Sequence, residues 1–542
     1  MRKRLKWILP LIVILLIGAL LTYFWKDTIN PYVASPLSIK GCDLTVPDSI
    51  IPKFSEASID FTHQFNDETS LPVLGSCLID IDNDGIDELF IGGGSEQEDG
   101  LFQYSDKAFK NISKDVKLPS KIGNTLGAVS YDFNQDGFTD IIVTRDSGVF
   151  VLLNNNGTFS SEEINVHLNE KTTPISVTLG DFNQDGFIDL FVAGYIKKEL
   201  MEGQTIFNDK KYGGSSVLLL NNGDNTFTDI TKSAGLEYIH NTFQGIFVDV
   251  NNDSKLDLVV AYDTGEPRIY INQDGTSFKL KSNPLTGKFA YPMGIAVGDY
   301  NNNNTPDFFF SNTGTSVPKA LAKGDLKEDQ ELFTDWILFS NDGNGAFTNT
   351  SRNTNIAKFE FSWGAIFEDF NLDGKQDLVV AENYIAFPPQ ALFKLPCRFL
   401  VQLDNGTFAA TEEQANVVNK NYAITPLSSD FNNDGYPDLV YANLNGNAKV
   451  YINNGGKANF VKVRMQDKAE LIGAVVTVTT ENGSQTNYNV IGEGLCSDQS
   501  NTLIFGLGNA QNISAITIKD SKGNSQVLEN VAINTTVSVG KQ

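Results

Sequence analysis

Seven short stretches of this chain gather oxygen-bearing side chains at one spacing. In Asp132-Phe133-Asn134-Gln135-Asp136-Gly137-Phe138-Thr139-Asp140 they stand at positions 1, 3, 5 and 9, with glycine at position 6. The frame returns as Asp80, Asp82, Asp84, Gly85 and Glu88, and as Asp181, Asn183, Asp185, Gly186 and Asp189. It returns again as Asp369, Asn371, Asp373, Gly374 and Asp377, and as Asp430, Asn432, Asp434, Gly435 and Asp438. Two copies are degraded: Asp249, Asn251, Asp253 and Asp257 surround Ser254, and Asp299, Asn301, Asn303 and Asp307 surround Asn304. Oxygens at positions 1, 3 and 5 of a tight loop point inward together, and the acid at 9 stands where it can close a cage. Flexible all-oxygen ligation suits Ca2+ better than Mg2+, which demands a small octahedral shell and keeps its waters. An EF-hand opens similarly but closes with Glu at position 12 between two helices. Here the acid comes at 9 and a β-type run such as Ile141-Ile142-Val143 follows at once. The frame predicts strand–loop–strand metal sites, about five to seven Ca2+ ions in all. The bland alternative, that Asp and Asn merely build Asx turns, leaves three carboxylates repelling one another in a partly desolvated turn. By that argument the Asn304 copy, with two carboxylates, is the weakest.

The surrounding text supplies the elements that hold these loops. An apolar or alternating run precedes each one, as in Leu126-Gly127-Ala128-Val129-Ser130. Two further runs follow, joined by turns such as Asn155-Asn156-Gly157, Asn222-Gly223-Asp224, Asn341-Asp342-Gly343 and Asp404-Asn405-Gly406. Asn-Gly dipeptides between strands are strong hairpin signals. Four strands per unit, repeated seven times at about 50 residues, predict an all-β fold: a seven-bladed β-propeller, with a β-sandwich array as runner-up. Three longer intervals place insertions at 197–214, 312–335 and 383–398. These lie between second and third strands, hence on the face opposite the loops, where they can build a ligand surface. Lys210, Lys211, Tyr212, Trp336, Tyr384 and Phe387 are candidate contacts there, or else pack the insertions onto the blades. Ile59-Asp60-Phe61-Thr62 resembles the outer-strand text Thr226-Phe227-Thr228-Asp229-Ile230 and is expected to lend the last blade a strand and close the ring.

The ends of the chain differ from this body. Arg2, Lys3, Arg4 and Lys6 precede Trp7–Trp25, which carries no charge. At 1.5 Å per residue that stretch spans about 28 Å as a helix, close to a hydrocarbon core. The basic flank orients the N-terminus to the cytoplasm, and the exit Leu21-Thr22-Tyr23-Phe24-Trp25 lacks the small-residue pair of a cleavage site. Residues 1–26 thus read as an uncleaved anchor, with a cleaved signal as the second reading, and 27–55 as a Pro-containing spacer. Cys42, Cys77, Cys397 and Cys496 allow three complete pairings or free buried thiols.

Residues 56–457 read as the propeller and 458–542 as a small separate β domain, with runs such as Ala474-Val475-Val476-Thr477-Val478 and Ala515-Ile516-Thr517-Ile518. The loops resemble FG-GAP/VCBS repeats. The tail, with Ile472-Gly473-Ala474, Gly492-Glu493-Gly494, Ser497-Asp498-Gln499-Ser500 and Phe505-Gly506-Leu507-Gly508, resembles an ASPIC/UnbV domain. The pairing is similar to that of the cartilage acidic protein (CRTAC) family. It departs from the tail pattern at Lys519-Asp520-Ser521-Lys522-Gly523, where that family commonly has Trp-Pro before a Gly. The resemblance implies calcium binding and an extracellular or periplasmic life.

Composition narrows the function. The 542 residues carry 66 Asp+Glu against 41 Lys+Arg, a formal charge of −25, and the loop frames hold most of that excess. Nucleic acid is not an expected partner, because phosphate contacts need a basic face. His63, His167 and His240 are scattered and no Gly-x-Ser-x-Gly occurs, so no nucleophile–base set is legible and no enzyme is expected. The leading expectation is a single-pass membrane protein with a periplasmic or extracellular calcium-binding body, acting as a binding, adhesion or scaffold protein. Its protein or glycan ligand would dock opposite the calcium loops. An accessory subunit of a membrane or biosynthetic complex is the alternative, and a propeller enzyme the third reading.

Overall fold

The computed structural model describes residues 44–66, 68–201, 213–314, 330–384 and 394–540. The expected N-terminal anchor, most of the spacer, Cys42, and the insertion residues Lys210, Lys211, Tyr212 and Phe387 lie outside them. Among the described residues no helix is long and apolar enough to cross a membrane.

Strands dominate, in repeated four-stranded antiparallel units. Thr125–Tyr131, Asp140–Arg145, Gly148–Asn154 and Phe159–Ile164 form one such sheet, paired in sequence order. Six sheets follow this order directly, beginning at Ser76, Thr125, Thr172, Thr242, Ile295 and Ser362. The seventh joins Tyr422–Ser429, Asp438–Leu444 and Lys449–Asn453 to Phe54–Ile59, with Phe54 opposite Asn453 and Ala57 opposite Val450. Successive first strands pack against one another, and the first strand of unit seven packs against that of unit one. The result is a propeller-like ring.

The closing strand is therefore Phe54–Ile59 and not the Ile59–Thr62 stretch the sequence suggests. Its burial explains why: Phe54 and Ala57 are buried while Ser55, Glu56 and Ser58 are exposed. Ser58 and Ile59 also pair in parallel with Ala108 and Phe109 of unit one, so the strand sutures both sides of the seam. Thr62 contributes a single bridge to Asn447.

First and second strands are buried on both faces, which is why Asp257–Tyr262 reads as a continuous apolar run after its first residue and Asp140–Arg145 begins its run with Ile141-Ile142-Val143. The ring is tight where first strands meet. A Cβ on Gly127 would lie 2.5 Å from Ile175 O, so only glycine fits there.

The tail folds into two sheets. Asn459–Met465 runs antiparallel to Thr502–Gly508 and parallel to Thr535–Val539. The other sheet orders Gly483–Asn489, Ala474–Thr480, Ile513–Lys519 and Ser525–Leu528. Val461, Val463, Val476, Val478, Phe505 and Ile516 share their core. Residues 491–499 leave the tail's own sheets and enter the ring among its first strands. Ser497 and Asp498 pair with Ser76 and Cys77 of unit one. Ser130 N donates to Asp498 Oδ2 at 3.0 Å, Cys496 N to Gln244 Oε1 at 3.0 Å, Val297 N to Glu493 Oε1 at 2.8 Å and Ser428 N to Gln499 Oε1 at 3.1 Å. Leu495 and Cys496 join the apolar core of the inner strands.

Candidate metal centres

Each frame falls between the first and second strands of a unit, and its side chains build the turn. Asp132 accepts the N–H of Asp136 on Oδ1 (3.0 Å) and that of Gly137 on Oδ2 (2.8 Å). Asn134 Oδ1 accepts the same Asp136 N–H at 3.0 Å, and Asp136 Oδ1 accepts the N–H of Phe138 at 3.0 Å. Equivalent bonds from position 6 to position 1 occur at Gly85, Gly186, Ser254, Asn304, Gly374 and Gly435. The chain crosses the left-handed region at both position 4 (Gln135, φ 59) and position 6 (Gly137, φ 93). Ser254 and Asn304 sit there at φ 65 and 63. Asn tolerates that region better than Ser, so the Asn304 loop keeps its shape despite its lost glycine.

One oxygen each of Asp80, Asp82 and Asp84 lies within 4.8 Å of the others, the convergence expected of positions 1, 3 and 5. The acid at position 9 opens the second strand and accepts backbone N–H groups, while at Asp307 and Asp377 the Oδ2 atom is buried with no hydrogen-bond partner among the described residues. Asp140 accepts the N–H of Phe133 on Oδ2 (2.9 Å) and of Asn154, on the third strand, on Oδ1 (2.7 Å). Asp438 does the same with Phe431 and Asn453, and Asp257 with Val250 and Asn272. Glu88, one methylene longer, holds Ile81 N and the Gln103 side chain. Position 9 thus ties the loop to its own sheet.

The electrostatics call for a counter-charge. Burial, opposed by these N–H bonds and aided by neighbouring carboxylates, pushes Glu88, Asp189, Asp257 and Asp307 up to about 8 and Asp140 to about 7. Asp80 and Asp299 rise to about 6, and Asp132, Asp181, Asp249, Asp369, Asp377 and Asp438 are also raised by burial. The Asp181 Oδ1 atom is buried without a hydrogen-bond partner among the described residues, although one polar hydrogen or cation would satisfy it. These all-oxygen donor sets fit a hard divalent cation. The Asn304 loop fits least: Asn301 Nδ2 donates to Ser340 Oγ (2.8 Å), Asn303 Nδ2 to Asn341 O (2.9 Å), and Thr305 Oγ1 to Asn303 Oδ1 (2.7 Å). Hydrogen bonds replace the missing carboxylate there.

The tail lies against this loop face, which the sequence did not suggest. Lys462 Nζ is 2.7 Å from Asp430 Oδ2, Lys522 Nζ 3.5 Å from Asp181 Oδ2, Lys519 Nζ 3.9 Å from Asp249 Oδ2, and Arg464 pairs with Asp80. At the Asp132 loop the tail offers an acid: Asp467 Oδ2 accepts Asp132 N (3.1 Å) and Thr139 Oγ1 (2.7 Å). A cavity of about 490 Å3 remains at that junction, lined among others by Gln135, Arg464, Asp467, Glu470 and Asn501. No motif marks these tail residues, because each acts on a loop of another part of the chain and not within a repeat of its own.

Other expected groups are structural. Trp336 and Tyr384, expected as surface contacts, are buried; Trp336 Nε1 donates to Glu360 O (2.6 Å) and Tyr384 OH to the Glu360 carboxylate (3.3 Å). Cys77, Cys397 and Cys496 are free and buried, so none of the three pairs with another. His63 and His240 are buried and held down near 4 by desolvation.

Two family models match the chain. A family model described as an FG-GAP-like repeat matches residues 80–143, 132–192, 249–310 and 430–478, and one described as ASPIC and UnbV matches 464–542. The chain is 24% identical over 343 residues to cartilage acidic protein 1 of Xenopus tropicalis (59% of this chain, 50% of the relative). It is 23% identical to the Homo sapiens protein (59% and 49%) and 22% identical over 377 residues to the Mus musculus protein (64% and 55%). It spans about half the length of these curated relatives. Among solved structures, BBS1N in complex with ARL6DN aligns at 11% identity and TM-score 0.40 (72% of this chain, 96% of that one). The extracellular domain of the putative hybrid two component system BT4673 from B. thetaiotaomicron aligns at 11% and 0.39 (80% and 44%).

Proposed function

Because this chain belongs to the cartilage acidic protein family, in which FG-GAP repeats precede an ASPIC/UnbV domain, we propose that it is an extracytoplasmic, calcium-binding, adhesion-type or scaffold protein. The reading rests on one observation above the others: the loop carboxylates converge in partly buried turns, and Asp181 Oδ1 has no hydrogen-bond partner among the described residues. Positions 1, 3 and 5 of the loops at Asp80, Asp132, Asp181, Asp249, Asp369 and Asp430 would hold Ca2+, and the Asn304 loop would be the last to fill. A bound ion would supply charge and cross-link the turn; the position-9 acids would hold the loop to its sheet. Loops of this openness suit weak sites of about 10⁻⁴–10⁻³ M on the EF-hand scale, which fill outside the cytosol.

In this reading the seven units close as a seven-bladed propeller, and the N-terminal segment tethers it to a membrane with the body outside. The loop face is covered by the chain's own tail, which favours the opposite face for a protein or glycan ligand. The same covering weighs against the accessory-subunit reading, in which the tail would dock a partner, since the tail's tip is buried in its own ring. Titrating Ca2+ into chelator-stripped protein while following its melt tests the proposal. A rise of many degrees is expected, and an identical melt with and without EGTA would refute structural calcium.

A further inference from the structure

We propose that docking of the C-terminal domain and cation occupancy of the loops at Asp80, Asp181, Asp249 and Asp430 oppose each other, because one carboxylate in each loop serves both. The inference rests on the calcium reading of those loops. In all four, the position-1 Oδ2 accepts the N–H of position 6 and also faces a tail cation: Arg464, Lys522, Lys519 or Lys462. Oδ1 faces the loop, and at Asp181 it has no partner among the described residues. A divalent ion held by Oδ1 would sit a few ångströms from the ammonium or guanidinium on Oδ2. Even with full water screening, a double and a single positive charge about 6 Å apart repel enough to change an affinity about tenfold.

The tail stretch that departs from its family pattern builds half of this device. Lys519-Asp520-Ser521-Lys522-Gly523 is the turn after Ile513–Lys519, and Asp520 Oδ1 accepts the N–H of Lys522 (3.0 Å) and Asn524 (2.7 Å) to shape it. The turn is wedged between two loops. Gln184 Nε2 donates both to Ser254 O (2.5 Å) and to Ser521 O (2.8 Å), and a Cβ on Gly523 would come within 2.9 Å of Ser254 Oγ. Lys522 and Lys519 consequently point to the Asp181 and Asp249 loops. The Asp132 loop is the contrast, since Asp467 brings a negative charge to it. Four loops are thus weakened by the tail and one is strengthened. Coupling between two binding events is reciprocal, so loading the four loops must loosen the tail.

Calcium titration calorimetry on the chelator-stripped full chain, with hydrogen exchange at 497–499 and 519–524, tests the coupling. Lys519→Gln with Lys522→Gln alters side chains about a third exposed (32% each) and is expected to tighten two sites about tenfold. Lys462→Gln should do the same at the Asp430 loop, and Asp467→Asn should weaken one site. In the unmodified chain, added Ca2+ should speed exchange at both segments several-fold. Binding that is the same in every variant, or tail exchange that Ca2+ leaves unchanged or slows, would overturn the coupling while leaving the calcium reading intact. Absence of binding in the unmodified chain and every variant would overturn both.

Discussion

At the scale of single residues, positions 1 and 9 of the frame do different work although both are buried acids. Position 1 folds the turn, and position 9 anchors it to the third strand. The frame was plain in the sequence, but this division was not, because the partners of position 9 are backbone N–H groups that carry no side-chain signal. Position 5 gives a test of the cation reading. Asp136 has carboxylate oxygens to offer a cation, whereas Asn303 bonds to Asn341 O in the protein itself. Asp136→Ala is expected to cost about 1–2 kcal/mol in millimolar Ca2+ and little in chelator. Asn303→Ala should cost about 1 kcal/mol in both. Denaturant titrations in the two conditions check this, and a cation-independent effect at Asp136 would count against metal there. The pH dependence follows from the same acids. A carboxyl raised from 3.8 to about 8, as at Asp189 and Asp257, binds its proton more tightly folded than unfolded. Without cation, its stabilising contribution is complete below about pH 4 and is lost as pH rises towards 8. Bound Ca2+ would hold the acids ionised and remove that loss. The melting temperature in chelator is therefore expected to fall between pH 5 and pH 8, and the gap between calcium and chelator to widen. Parallel slopes in the two conditions would contradict it.

At the scale of elements, the four-strand repeat was legible because hairpin turns and two-sided burial both leave marks in the text. The seam was misplaced by a few residues. Ile59-Asp60-Phe61-Thr62 has good strand propensity, but pairing is decided by which face finds a core. Phe54 finds it, with edge-on contacts to Phe370 (5.9 Å) and Phe399 (5.5 Å). Phe54→Ala should therefore cost about 3–5 kcal/mol, the range for emptying a buried aromatic site. Phe61 is buried against Phe102, but it lies outside the paired strand. Urea unfolding of the Phe54→Ala chain should remain a single transition at a lower midpoint. A separate early loss of unit seven alone would mean that the strand decorates the ring and does not close it.

At the scale of the molecule, ring and tail are joined through residues 491–499. The sequence places a change of repeat between them, but that change hides how they are joined, because the joining segment reads as an ordinary loop between strands. Residues 491–499 bond to first strands around the ring, and Leu495 and Cys496 lie in its axial core at 0% and 1% exposure. Glu493 and Asp498, raised by burial to about 8 and about 7, are held there by Val297 N and Ser130 N. Undocking the tip would expose an apolar channel and leave these N–H groups without their acceptors, so neither body should unfold alone. Calorimetry is expected to show one transition for the intact chain. Leu495→Ala, which empties the centre of the plug, should lower it by about 2–5 kcal/mol in stability. Cys496 offers a direct reading of the same event, since its buried thiol should resist a water-soluble thiol reagent under native conditions and react faster in Leu495→Ala. Rapid native labelling of Cys496, or a tail transition well resolved below that of the ring, would show that the plug is a loose contact and that the two domains fold apart.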